Sequence, residues 1–526
     1  MTTHDHLLRD CQTLYCIKRK DSGVKRVLLP WSNRETARNG QLAPRPALVS
    51  RRVSLLQGTI GLAVALALSG CAAPESQSVD AGALKPEEDS SNALDSHPPV
   101  VAGKTLDGAL LRRFYTRRDF EPVWTTRQAQ AGAFKALVLR ARDHGLDPEL
   151  FHADLLRRMD TFPPDRRDLL LSHAVLTYAE ALAFGAVPQS RRKDQEALAP
   201  GPVDVAEVLD KALDGPDPAA VIEALAPQTP NYMALRQALQ RLSSAGRPDR
   251  AEVRRSRVIE ANLERQRWLP RALPANRVWV NVPDQQLVLY RDDRPVFVTR
   301  VVVGEATDRK QSPEFSTNIE SALFNPPWVI PQDIVEADIR PMLKQDPLYL
   351  VKNKIVMLPN GDAEQAPGPQ AGLGAVMFEM PNRFDVYLHD TPDREVFSRD
   401  NRRLSNGCIR VHNPLQLAAL LMDEPLDTIN KNVATGDTVR RSLAEPVPVF
   451  VLYHTAFAAG RDLEMRPDFY GRDEALWQRL QKRPQEQGAP SRSQVAAGAL
   501  RSTPVEEPAR RPVPASSPAS AAQRRV

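Results

Sequence analysis

Cys408 is the last of four cysteines in a chain of 526 residues, and it stands far downstream of Cys11, Cys16 and Cys71. It sits in Ser405-Asn406-Gly407-Cys408-Ile409-Arg410, a turn of small and polar residues between two apolar runs. A structural cysteine behaves as a small hydrophobe among apolar neighbours, whereas this thiol has a glycine behind it and a guanidinium two positions ahead. That setting suits a nucleophile. Just upstream, Val386-Tyr387-Leu388-His389 is a strand-like run that ends in Asp390-Thr391-Pro392 and so delivers an imidazole at a strand-to-turn boundary. A base and a thiol then flank one connecting loop. Two further histidines are weaker candidates. His412 follows Cys408 by four residues but has no second ligand pair to make a metal site, and His454, on a late strand-like run, reads as structural.

Short β-branched runs must hold these residues in place: Val278-Trp279-Val280, Leu287-Val288-Leu289-Tyr290, and Val296 to Val303 closed by Gly304. Their spacing predicts an antiparallel sandwich rather than a βαβ array. The stretch from Ala337 to Gly374, with Pro341, Pro347 and Pro367-Gly368-Pro369, breaks that rhythm and predicts a capping subdomain over the cleft, about 337–374. Asn413-Pro414 predicts a helix start leading into Leu415 to Leu421, and Val447 to Thr455 a last strand. Before the sheet, Thr105 to Arg257 is helical in pattern. Leu110, Leu111, Phe114 and Tyr115 share a face, and the periodic run Leu169 to Phe184 is stopped by Gly185 and Pro188. The fold class is therefore α+β, an all-α domain over 100–257 followed by a mostly-β domain over 258–478.

The chain ends differ in character. Arg51-Arg52 precede an apolar run from Leu55 to Leu68, too short for a comfortable membrane span and the right size for a signal-peptide core. It closes in Leu68-Ser69-Gly70-Cys71, which resembles a bacterial lipobox and makes Cys71 the expected lipidation site of an export region 1–71. Ser50-Arg51-Arg52 also resembles a twin-arginine signal, with Ser54 where that motif favours an aromatic, so both export routes stay open. The long preceding region points to a true start near Val49 or Val53. Residues 72–99 are rich in Ser, Pro, Ala, Asp and Glu and read as a flexible tether, able to span about 90 Å when extended. Residues 479–526 read as a disordered tail. Without the first three cysteines, Cys408 has no disulfide partner, and an exported protein keeps such a thiol where it is needed or shielded. The net charge of +5 is modest, and no zinc-finger spacing, Gly-rich phosphate loop or aromatic-interleaved basic patch marks a nucleic-acid binder.

Together with Asn325-Pro326-Pro327-Trp328 and the run from Pro381 to Asp390, the Cys408 motif resembles the catalytic domain of the L,D-transpeptidases, the YkuD fold. The likeness extends from Asn262-Leu263-Glu264-Arg265 and Arg267-Trp268-Leu269-Pro270 to Tyr470-Gly471-Arg472-Asp473. Phe114-Tyr115, Trp124 and Gly145-Leu146-Asp147-Pro148 resemble the helical scaffold domain of the large branch of that family, where such aromatics belong to the core. The resemblance implies peptidoglycan stem peptides as substrate, Cys408 as nucleophile and His389 as its proton carrier. It further implies backbone N–H groups around Gly407 and Cys408 as oxyanion donors, and a histidine-orienting carbonyl at or beside Asp390. Ser405 would shape the site, Arg410 would engage a substrate carboxylate, and Trp328 and Tyr387 would contact substrate.

Attack on the third stem residue would release D-Ala and leave a thioester, which an amine from a second stem resolves into a 3→3 cross-link. Resolution by water, giving a carboxypeptidase or a wall-protein-releasing peptidase, is the alternative; a binding-only envelope lipoprotein would have no use for both His389 and Cys408. No cofactor is implied. Ala72 rather than Asp after Cys71 suggests release to the outer membrane and a periplasmic location. Three departures stand out: Asn406 and Asp390 occupy places where many relatives have His and Gly, and no peptidoglycan-binding module separates the two domains. An imidazolium that lowered the thiol pKa by about three units would raise the thiolate fraction roughly 30-fold at neutral pH, but the lost nucleophilicity costs about 20-fold. The larger expected role of His389 is to carry the proton to the leaving amine.

Overall fold

The computed structural model describes residues 98–482 apart from 245 and 461. The export segment with Cys71, the tether up to residue 97 and the tail beyond 482 lie outside the described residues.

A two-residue hairpin, Val100–Val101 paired with Lys104–Thr105, precedes the helices. α1 (Gly108–Tyr115) is capped by Asp107, whose carboxylate accepts the Leu110 N–H at 2.9 Å. It is followed by α2 (Gln128–Leu139), α3 (Pro164–Phe184), α4 (Val205–Ala212), α5 (Pro218–Glu223), α6 (Pro230–Ser244) and α7 (Arg250–Arg267). α3 is buried along nearly all of its second half and forms the axis of this domain. Tyr115 and Trp124 are core residues here: both hydrogen-bond Ser172, and the buried Asp168 carboxylate accepts the Val123 and Trp124 backbone N–H groups. A buried polar group keeps its place only when so paired.

The domain limits expected at 257 and 478 both fall inside helices, because α7 and the last helix among the described residues, Arg472–Leu480, run through them. α7 carries the quoted Asn262-to-Trp268 motif, and its role is structural. Glu264 accepts the Ala186 and Val187 N–H groups just past α3 and pairs with Arg267 at 3.0 Å. Gly185 turns at φ +88°, and a Cβ there would stand 2.5 Å from the Glu264 carboxylate. Arg265 meets Asp473 at 2.6 Å, and Asn262 bonds Thr455. One helix thus ties the helical core to the sheet domain through buried charges, and removing one partner of such a pair costs about 3–5 kcal/mol.

The sheet domain contains β1 (Arg277–Asn281), β2 (Gln286–Arg291), β3 (Arg294–Gly304), β4 (Phe315–Phe324), β5 (Trp328–Ile330), β6 (Ile355–Met357), β7 (Ala363–Gln365), β8 (Val376–Glu379), β9 (Leu388–His389), β10 (Arg403–Ser405), β11 (Ile409–Val411) and β12 (Val439–Leu452). Nine strands form one sheet in the order β10-β3-β11-β9-β8-β4-β12-β1-β2. The layers expected of a sandwich are joined, because β3 is long enough to pair with β2 along its first part and with β11 near its end. Most pairs are antiparallel, while β9–β11, β12–β1 and β10–β3 are parallel. Alternating Val278, Val280, Leu287, Leu289, Val301, Val303, Leu388, Ile409 and Val411 fill its interior with α8 (Pro414–Met422) against it. Asn413 precedes α8 as expected but makes no side-chain capping bond.

The stretch expected to cap the cleft, about 337–374, is joined in one small sheet by residues that precede it. β5, at 328–330, pairs with β7, and β7 with β6, in a separate three-stranded sheet that encloses Ile330, Val335, Ile339 and Ile355. A π-helical turn at Val335–Ile339 lies within it.

Candidate functional site

Two short strands assemble the site. β9 and β11 pair in parallel with Leu388 opposite Ile409 and His389 opposite Arg410. Residues in register share a face, and side chains alternate along each strand. Leu388, Ile409 and Val411 therefore point into the core, where all three are fully buried. Tyr387, His389, Cys408 and Arg410 then share the opposite face. The bond from Ile409 N–H to the Tyr387 carbonyl, 2.9 Å, fixes this register at the thiol.

The imidazole is oriented from behind. His389 Nδ1 lies 2.6 Å from the Asp390 backbone carbonyl. A carbonyl can only accept, so Nδ1 carries the proton and Nε2 is the bare nitrogen. Asp390 is itself held: its carboxylate accepts the Ala375 N–H at 2.9 Å and the Arg394 guanidinium at 2.7 Å. Asp390 thus meets the imidazole through its backbone carbonyl and has two anchors of its own through its side chain.

The Cys408 turn is built on Ser405. Its hydroxyl donates to the Cys408 carbonyl at 2.5 Å and accepts the Gly407 N–H at 3.2 Å. Gly407 has φ +115°, a conformation that only glycine adopts without strain. The Gly407 N–H is engaged, whereas the Cys408 N–H has no acceptor among the described residues. The thiol is partly exposed and lies 3.7 Å from the Asp385 carbonyl, to which it can donate. That carbonyl is set by Asn382, whose side chain makes four bonds across the 380–386 turn, to Met380, Phe384 and twice to Val386.

Electrostatics favour a neutral pair. Burial, and next the Arg410 charge, push His389 down to about 3, with the Asp390 carbonyl acting against them. Burial pushes the Cys408 thiol up, against the Tyr387 backbone N–H and Arg410, which favour the thiolate. Burial thus works against an imidazolium–thiolate pair at rest. Desolvation disfavours both charged forms, and the proton is placed to move only as the sulfur attacks.

Arg410 faces both reactive groups, acting on the titration of each, and its Nε has no partner among the described residues. Asn406 is exposed and donates to Asp338 of the cap at 3.4 Å, so the π-helical turn touches the residue two before the thiol. Trp328 lies in the three-stranded sheet with its ring against Gly372, where a Cβ would be 2.8 Å away. His412 packs on Phe397, and the buried His454 contacts Gln266. Both lie away from the thiol's described contacts.

Residues 109–239 match the family described as Scaffold domain, and residues 275–448 match the L,D-transpeptidase catalytic domain, YkuD. A protein of Haemophilus influenzae (strain ATCC 51907 / DSM 11121 / KW20 / Rd) named "Putative L,D-transpeptidase" is 33% identical over 224 residues. That match covers 38% of this chain and 45% of the relative, so it spans less than half of that protein. A solved structure of the Ldtfm–avibactam carbamoyl enzyme aligns at 13% identity with a TM-score of 0.19, covering 34% of this chain and 49% of that one. A likeness that low carries no argument.

Proposed function

We propose that this chain, whose residues 109–239 and 275–448 match the Scaffold domain and the L,D-transpeptidase catalytic domain, joins peptidoglycan stem peptides by 3→3 cross-links through an acyl-enzyme on Cys408. The observation that supports this most directly is the tautomer of His389. With Nδ1–H given to the Asp390 carbonyl, Nε2 is free to take a proton on the face that Cys408 shares.

In the first half-reaction Sγ forms a bond to the carbonyl carbon of the third stem residue while its proton passes to Nε2. The developing oxyanion receives the Cys408 N–H. The C–N bond to the terminal D-Ala then breaks, the amine leaves with the proton from Nε2, and a thioester remains. In the second, the side-chain amine of another stem attacks that thioester, gives its proton to Nε2, and the thiol departs carrying it. Starting from a neutral pair, neither half-reaction requires a separated charge before attack. Arg410 offers an unpaired donor beside the thiol and would hold a substrate carboxylate. Tyr387 flanks the same face, and Trp328 would contact substrate only from the cap.

Lipidation at Cys71 would tether the enzyme to the outer membrane on the periplasmic side, within reach of the wall. Incubation with a disaccharide-tetrapeptide, followed by intact-mass measurement and product analysis, tests the reading. A cysteine acyl adduct that yields dimers supports transpeptidation, and the same adduct yielding only tripeptide supports the hydrolytic reading.

A further inference from the structure

We infer that Ser312, outside every motif of the site, is a positioning residue that aims the Cys408 N–H at the reacting carbonyl. It is fully buried and lies 95 residues from the turn it touches. Its hydroxyl lies 2.8 Å from the Gly407 carbonyl and 3.0 Å from the Gly304 N–H. The Gly304 N–H is a donor, so the serine oxygen accepts there, and its single proton is committed to the Gly407 carbonyl.

That commitment sets a peptide plane. In a trans peptide the C=O of one residue and the N–H of the next point in opposite directions. Drawing the Gly407 carbonyl back toward Ser312 therefore turns the Cys408 N–H away from Ser312. Gly407, at φ +115°, has no side chain and a wide conformational range, so its own preferences do little to hold this plane. Ser405 ties the ends of the turn, but it bonds the Gly407 N–H and the Cys408 carbonyl, which belong to the two flanking peptides. The Gly407–Cys408 plane has Ser312 as its described anchor.

Ser312 is clamped in turn. The Tyr470 hydroxyl accepts its N–H at 3.3 Å and donates to the Gly304 carbonyl at 2.6 Å. The Arg472 guanidinium donates to its carbonyl at 3.0 Å. The segment can approach because Gly304 has no side chain: a Cβ there would fall 1.9 Å from the Lys310 carbonyl oxygen. Two residues on, Glu314 pairs its backbone with Gln195 and Ala197, so the helical domain supports the same segment.

The inference rests on Cys408 acting by acyl transfer. Its test compares two reactions of one thiol: acylation by meropenem, which passes through an oxyanion, and alkylation by iodoacetamide, which does not. Ser312→Ala should slow acylation by about 10–100-fold, less than or equal to the loss of a whole oxyanion donor, and leave alkylation within about two-fold. Tyr470→Phe, which loosens Ser312 without removing its hydroxyl, should show a smaller drop with the same selectivity. It decides the matter if Ser312→Ala does not fold. Unchanged acylation in the folded variants, or acylation and alkylation falling in parallel, would overturn the role of Ser312 alone. A wild type that meropenem leaves unmodified at Cys408 would overturn the acyl-transfer reading, and this inference with it.

Discussion

Gly374 and Asp390 leave each other no spare room: a Cβ on Gly374 would stand 2.5 Å from the Asp390 carboxylate, and Gly374 already has φ +65°. Asp390 in turn holds His389 through its carbonyl. Gly374→Ala should therefore act on the imidazole from a distance. The positive φ alone costs about 1 kcal/mol, and relief of the clash must move Asp390. Stopped-flow acylation should fall by about ten-fold or more, since misplacement by an ångström can cost a hundred-fold, with a measurable drop in Tm.

Four of the five buried histidines among the described residues should make the fold acid-labile. His389, His173 and His454 are held down to about 3 and His144 to about 2, in each case chiefly by burial. Unfolded, each takes up a proton near 6.5, so the unfolded state binds more protons below that pH and stability falls as pH falls from 6.5 toward 3. Glu314 opposes them. Burial raises it to about 7, so between 7 and the usual 4.5 the folded state binds the extra proton and stability rises as pH falls. Counting these five groups alone, unfolding near pH 5 takes up about three protons, read as the slope of denaturation free energy against pH. A flat slope between pH 5 and 6.5 would contradict the buried-neutral assignment.

Acylation should carry no histidine limb near 6.5. With His389 neutral down to about 3 and the thiol protonated through neutrality, the reactive form is the same from pH 5 to 8. The pre-steady-state rate should vary less than about three-fold over that range, where a thiolate–imidazolium pair would give a bell. Arg410→Lys tests the substrate side of the same face: a point charge replaces a planar fork, so KM for the stem peptide should rise about ten-fold with a smaller effect on kcat.

The lipid anchor is a separate expectation from the Leu68-Ser69-Gly70-Cys71 run. Cys71→Ala should abolish labelling by a palmitate analogue and accumulate precursor. Wild-type protein that fractionates as soluble and takes no label would mean an ordinary cleaved signal.

The parts of the site legible in the sequence were those whose chemistry is local. Cys408, His389 and Ser405 announce themselves by residue type within short runs, and the helical periodicity of Leu169 to Phe184 marks α3. What was not legible depends on distant pairing. Nothing in Gln311-Ser312-Pro313 marks a serine that reaches Gly407, and no spacing shows that β3 will pair on both sides. Trp328 was quoted with the catalytic motifs, yet β5 carries it into the cap sheet because its partner, β7, lies more than thirty residues on. The pressure toward a neutral Cys–His pair comes from burial, which short motifs do not display. Asn382 had a signal, an Asn in a turn, but its four bonds needed the folded loop to be counted.

The central claim is that Cys408 attacks a stem peptide with His389 as its proton carrier. Intact-mass spectrometry of the protein mixed with disaccharide-tetrapeptide addresses it most directly, with Cys408→Ser and His389→Gln beside the wild type. The account predicts an adduct equal to the peptide less D-Ala on the wild type, none on Cys408→Ser, and slow formation on His389→Gln while iodoacetamide still labels its thiol. An adduct on Cys408→Ser, or a wild type that binds the peptide and never forms one, would contradict it.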